Sequence, residues 1–62
     1  MRIYSVSIVC KFMTINTEVE DIDEDLQIED VIETAKDTLL NEYGIVVESL
    51  DVDDVVVLEL SR

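Results

Sequence analysis

The segment IEDVIETAKDTLLNEY, residues 28–43, decides the fold, because nowhere else in the chain do apolar residues recur with a helical period. At 100° per residue Ile28, Val31, Ile32, Ala35, Leu39 and Tyr43 share one face, and Glu29, Asp30, Glu33 and Asp37 gather on the opposite side. This spacing predicts an amphipathic helix with one dry stripe. Gly44 supplies the stop, since it takes the left-handed conformation just past a helix, and a Schellman-type contact of Ile45 with Leu40 is expected there. Upstream, Asp25 is the expected N-cap, and Glu29 and Asp30 suit the positive end of the helix dipole. Asp37 and Glu42 oppose that dipole. Glu29, Glu33 and Asp37 also stand four apart as like charges, with Lys36 beside Glu33 as the local relief. Helix propensity alone does not select such a pattern.

Strand periods flank the helix. Residues 3–13 alternate with Tyr4, Val6, Ile8, Cys10 and Phe12 on one face and a mixed set on the other, Ser5, Ser7 and Lys11 together with Ile3, Val9 and Met13. Past Met13 the phase changes, and Ile15, Thr17 and Val19 take the apolar or β-branched positions. A hairpin turn near residues 14–17 and one long bent strand both fit that change, because no Asn-Gly, Asp-Gly or Pro marks a turn. After Gly44, Ile45 to Val47 reads as a short strand or an extended segment. Residues 54–60 form a surer strand, with Val55, Val57 and Glu59 on one face and Val56, Leu58 and Leu60 on the other. Both faces are mostly apolar, so burial on two sides is expected, against the helix and against something this chain does not supply.

These elements predict a small α+β domain, in ββαβ or βαβ order, with a two- or three-stranded sheet covered on one face by the helix. The expected core is Tyr4, Val6, Ile8, Cys10 and Phe12 on Val31, Ile32, Ala35 and Leu39, completed by one face of the last strand. Sixty-two residues permit a single domain, residues 1–62. Chains this short usually add a disulfide, a metal or a partner subunit to a limited core. One cysteine closes no internal disulfide, and with no histidine the ordinary zinc ligands are missing. Association remains, and a homo-oligomer, a two-fold dimer through the second sheet face or an edge strand, is expected.

Sixteen acidic residues against four basic ones give a formal net charge of −12. Acidity often accompanies disorder, yet 48% of the residues are hydrophobic and fall in periodic blocks, which points to a folded domain with an acidic coat. Such a surface repels nucleic acid and anionic membrane and favours basic surfaces on other proteins. Residues 3–10 are too short for a signal-peptide core, and no apolar run approaches the ~18–20 residues that span a bilayer. A soluble, reducing, cytoplasmic setting is the expectation.

Catalytic chemistry is removed largely by elimination. Without histidine there is no Ser-His-Asp or Cys-His arrangement, and Cys10 at mid-strand reads as a packed thiol. The carboxylates lie in a solvated run rather than in an apolar pocket, so no enzyme activity and no cofactor are expected. Asp21, Asp23 and Asp25 match the first three ligand positions of an EF-hand loop, but Leu26 stands where the loop needs glycine and Ile32 where it needs the bidentate glutamate. No metal site is expected. One glycine and no basic patch likewise exclude a phosphate cradle.

Eight of the thirteen residues 18–30 are acidic. The plainer reading of this run is a solvated loop, or adaptation to solubility or salt. The sharper one is imitation of a polyanion, in which Glu18, Glu20, Asp21, Asp23, Glu24, Asp25, Glu29, Asp30, Glu33 and Asp37 occupy a basic site built for phosphates. A self-repelling coat destabilises so small a domain, which favours the sharper reading. With its length, its strand-helix-strand order and its acidity, including Tyr43-Gly44-Ile45 after the helix and Val52-Asp53-Asp54-Val55 before the last strand, the chain resembles the short acidic open reading frames of phage genomes. Several of those bind and redirect host proteins. The resemblance implies a viral or mobile-element regulator acting in the host cytoplasm, and it transfers no functional residue. Two functions therefore stand open: an acidic module that docks on a basic host protein, and a self-assembling accessory subunit.

Overall fold

A computed structural model describes residues 1–60. It is a ββαβ unit: β1 (Arg2–Cys10), β2 (Thr14–Asp21), α1 (Ile28–Tyr43), a 3-10 turn (Val47–Ser49) and β3 (Val52–Leu60). The strands form one antiparallel sheet in the order β2-β1-β3, so the predicted α+β class holds with three strands. The central position of β1 follows from its alternation. Tyr4, Val6, Ile8 and Cys10 are all buried on the helix side, and burying each large apolar side chain is worth about 1.5–3 kcal/mol.

Between β1 and β2 the chain makes a hairpin, not one bent strand. The reversal occurs at Lys11 and Phe12, earlier than the expected residues 14–17, and the Cys10 N–H donates to the Met13 carbonyl at 2.7 Å. Phe12 consequently leaves the predicted core. It is 88% exposed, with the Lys11 ammonium 5.3 Å from its ring centre. Its place in the alternation is cut off because the strand turns before reaching it.

Helix α1 has the predicted limits, but its dry stripe is narrower than the sequence period suggests. It crosses β2 and β1 and buries Val31, Ala35 and Leu39, whereas Ile32 is half-buried and Ile28 and Tyr43, at the two ends, are exposed. Val19 on β2 and Val47 in the 3-10 turn fill the rest of the core. The segment after Gly44 is thus neither a strand nor simply extended. Gly44 is left-handed, with φ 68°, as the stop signal requires. Its N–H bonds the Leu40 carbonyl at 3.0 Å and the Ile45 N–H bonds Leu39 at 3.1 Å. That is the simpler left-handed cap in place of the expected Schellman pattern, and it sends Ile45 to the core while Leu40 stays about half exposed.

The last strand is also corrected. It begins at Val52, with an irregularity at Asp53 where Val9 pairs Asp54 and Cys10 pairs Val52. Val55 and Val57 are half-buried against the core, but Val56, Leu58 and Leu60 on the other face are exposed, so β3 is not buried on two sides. It is an edge strand, and the helix lies over the other two strands.

Candidate functional site

The ten candidate carboxylates do not form one surface. The phase set by Ile15, Thr17 and Val19 turns Glu18 and Glu20 to the outer face of the sheet, away from α1, where both are exposed. The same phase turns Asp21 inward. It is 2% exposed, and its two carboxylate oxygens accept the N–H groups of Asp25 and Leu26, each at 3.2 Å, while its carbonyl accepts the Glu24 N–H at 3.4 Å. Asp21 is therefore removed from the partner-binding set. Its carboxylate pins the loop that carries the chain from the sheet edge to the helix, a role the sequence reading missed. The signal was available in the alternation, which runs through Val19 to Asp21 without a break.

The loop that follows is exposed at Asp23, Glu24 and Asp25. Since Asp21 faces the core and the other two face solvent, the aspartates of the partial calcium motif do not converge. Among the described residues no group of three or more Cys, Asp or Glu side chains is placed to hold a metal ion. Glu24 has a left-handed backbone, φ 57°, and its carboxylate meets the Met1 amino group at 2.8 Å and the Arg2 guanidinium at 3.8 Å. It is thus already engaged. The hydrogen bond from the amino group, then that group's charge, with Arg2 adding to both, holds the Glu24 carboxyl below its ordinary range. Because the pKa is lowered in the folded state, this contact contributes fully at neutral pH and is lost as the pH falls through the lowered value. Glu24→Gln is expected to remove that acid-side loss, read as a flatter dependence of the melting temperature on pH below about 5.

The helix supplies the remainder. Its N-cap is Gln27 and not Asp25, and the Asp30 carboxylate reaches back to accept the Gln27 N–H at 3.3 Å. Asp30 is partly occupied by that bond. Glu29, Glu33 and Asp37 are exposed and, among the described residues, have no ion-pair partner. Lys36, expected beside Glu33, instead extends to Glu48 at 3.7 Å, because the 3-10 turn packs on that side of the helix. The relief anticipated for the Glu29, Glu33, Asp37 ladder therefore goes elsewhere. Of the candidate carboxylates, those exposed and without an ion pair among the described residues outside the sheet are Asp23 and Asp25 on the approach loop and Glu29, Asp30, Glu33 and Asp37 on α1.

A depression of about 310 Å³ lies between Lys36, Val47, Glu48, Leu50, Val52 and Val55, and another of about 110 Å³ lies where the β1-β2 turn meets Leu50 and Asp51. Cys10 is buried, with its thiol directed to the Ile8 carbonyl at 3.9 Å. Among the described residues no helix is long and apolar enough to cross a membrane. Comparison with protein-family models, with curated proteins and with solved structures gives no match.

Proposed function

We propose that the chain is a non-enzymatic, cytoplasmic acidic module that binds a basic surface of another protein, of the kind that ordinarily holds nucleic acid, through the carboxylates of α1 and its approach loop. One observation carries the reading: Glu29, Glu33 and Asp37 stand in a row on a rigid helix, and the one lysine of that helix is drawn away to Glu48. Such a row leaves its charge uncompensated and spends folding stability on self-repulsion. A cationic partner recovers both. The resemblance to phage reading frames makes a host protein the expected partner, and direct binding to nucleic acid or membrane is opposed by the sign of the charge.

Salt tests this because it acts with opposite signs on folding and on binding. At 0.1 M salt the Debye length is ~10 Å, so added salt relieves repulsion within the domain and weakens attraction to a basic partner. Capture of the partner from lysate is expected to fall about tenfold or more between about 0.05 M and about 0.5 M salt, while the melting temperature rises. The combined change Glu29→Gln, Glu33→Gln and Asp37→Asn is expected to imitate both effects at low salt, with a gain of a few degrees in melting temperature. Heparin should compete for the same partner site. A partner held through about 1 M salt and indifferent to the triple change would mean an apolar contact, and the electrostatic reading would fall.

A further inference from the structure

The outer face of the sheet, opposite α1, is divided lengthwise by the register. On the β3 side Val56, Leu58 and Leu60 form an exposed apolar ridge. Beside it, opposite Leu58 and Val56, β1 presents Ser5 and Ser7, a short furrow of small side chains closed at its ends by Ile3 and Val9, in which the Ser7 hydroxyl is already bonded to Asn16 at 2.6 Å. On the far side of β1 stand Glu18 and Glu20. At the level of Leu58, Ser5 and Glu18 the face thus reads tall and apolar, then low, then acidic.

We propose that this face is the interface of a two-fold homodimer in which the ridge of each copy lies over the furrow of the other and both β2 strands overhang the contact. Packed sheets lie ~10 Å apart, and their side chains must interdigitate. A two-fold axis parallel to the strands, between β1 and β3, sets Leu58 over Ser5 and Val56 over Ser7, large on small, twice over, with Leu60 meeting Ile3 in an apolar contact at one end and Asp54 beside Val9 at the other. It also carries the Glu18 and Glu20 rows to opposite rims, where water solvates them. The other in-plane axis, across the strands, stacks ridge on ridge and β2 on β2, which leaves the furrow unfilled and is opposed by shape. Self-complementarity singles out a second copy as the occupant, since this one chain carries the ridge and the furrow at matching spacing. Edge pairing through β3 is less favoured: an antiparallel pair centred on Val56 would set Asp53 opposite Glu59.

The acidic helix surface stays free in this dimer, so the proposal stands apart from the electrostatic one. Sedimentation of the full chain from micromolar to near-millimolar concentration should show a reversible monomer-dimer equilibrium. Leu58 is 59% exposed, so Leu58→Ser should keep the fold by circular dichroism and raise the dissociation constant about tenfold or more. Adding Ser5→Leu exchanges ridge and furrow and should restore most of the loss. Glu18→Gln with Glu20→Gln should leave the constant within about threefold, because the overhanging strands take no part. A parent chain that stays monomeric throughout would overturn the proposal, whether or not a foreign protein then covers the face. So would a dimer indifferent to Leu58→Ser, a double variant no tighter than the single one, or a dimer strengthened well beyond threefold when Glu18 and Glu20 are neutralised.

Discussion

Leu39→Ala is expected to lose about 2–5 kcal/mol, the usual cost of truncating a fully buried leucine and leaving part of its volume empty. Leu39 is among the largest fully buried side chains and the last core residue of α1, where the helix holds the sheet. A domain of 62 residues has roughly 3–9 kcal/mol in all, so the substitution should leave a substantial unfolded fraction near room temperature. The neighbouring Leu40 is 49% exposed, and Leu40→Ala should cost well under half as much. Urea denaturation of the two variants side by side reads the rotation of the helix about its axis. If Leu39→Ala unfolds with the parent while Leu40→Ala unfolds early, the helix faces the sheet one residue out of register.

Asp21→Ala should cost about 2–4 kcal/mol, from two hydrogen bonds to a carboxylate and the N–H groups left behind. This is the reverse of what neutralising an acid should do in a chain of net charge −12. Glu20→Gln, one residue earlier and exposed on the other side of the sheet, removes the same formal charge and should be neutral or slightly stabilising. Asp21→Asn, which keeps one acceptor oxygen, should fall between them. The comparison separates charge from position, since all three changes remove one negative charge while only Asp21 holds the loop into α1. Chemical denaturation at low salt gives the ranking. An Asp21→Ala variant as stable as Glu20→Gln would mean that the residues 22–27 connection is held by something other than this carboxylate.

Both expectations concern adjacent residues of opposite consequence, and they mark where the sequence was informative. The limits of α1, the left-handed Gly44 and the two faces of β3 were all legible, because each rests on a periodicity or a backbone preference that acts over a few residues. The acidic helix face was legible for the same reason. Phe12 was misplaced because a period says which side a residue takes only while the strand lasts, and no turn residue announced the reversal at Lys11 and Phe12. Ile28 and Tyr43 belong to the apolar stripe by angle, but at the two ends of the helix both are exposed, and only the packed arrangement shows how much of the stripe finds a partner.

The sequence by itself determined the α+β class, the helix and the excess of negative charge, since composition and short-range periodicity are properties of the chain alone. The tertiary structure decided which of the charges are free. Asp21 is spent on the loop, Glu24 on the amino terminus and Arg2, and Lys36 is drawn to Glu48 and away from the helix ladder. It also decided that β3 is an edge with one bare face, because the helix settles over β2 and β1. Apart from Asp21, whose bonds span four and five residues and whose inward side the alternation carried, those outcomes depend on contacts between residues distant in sequence, whose geometry no local pattern encodes, and so the acidic surface and the apolar face became distinct only when the sheet formed around β1.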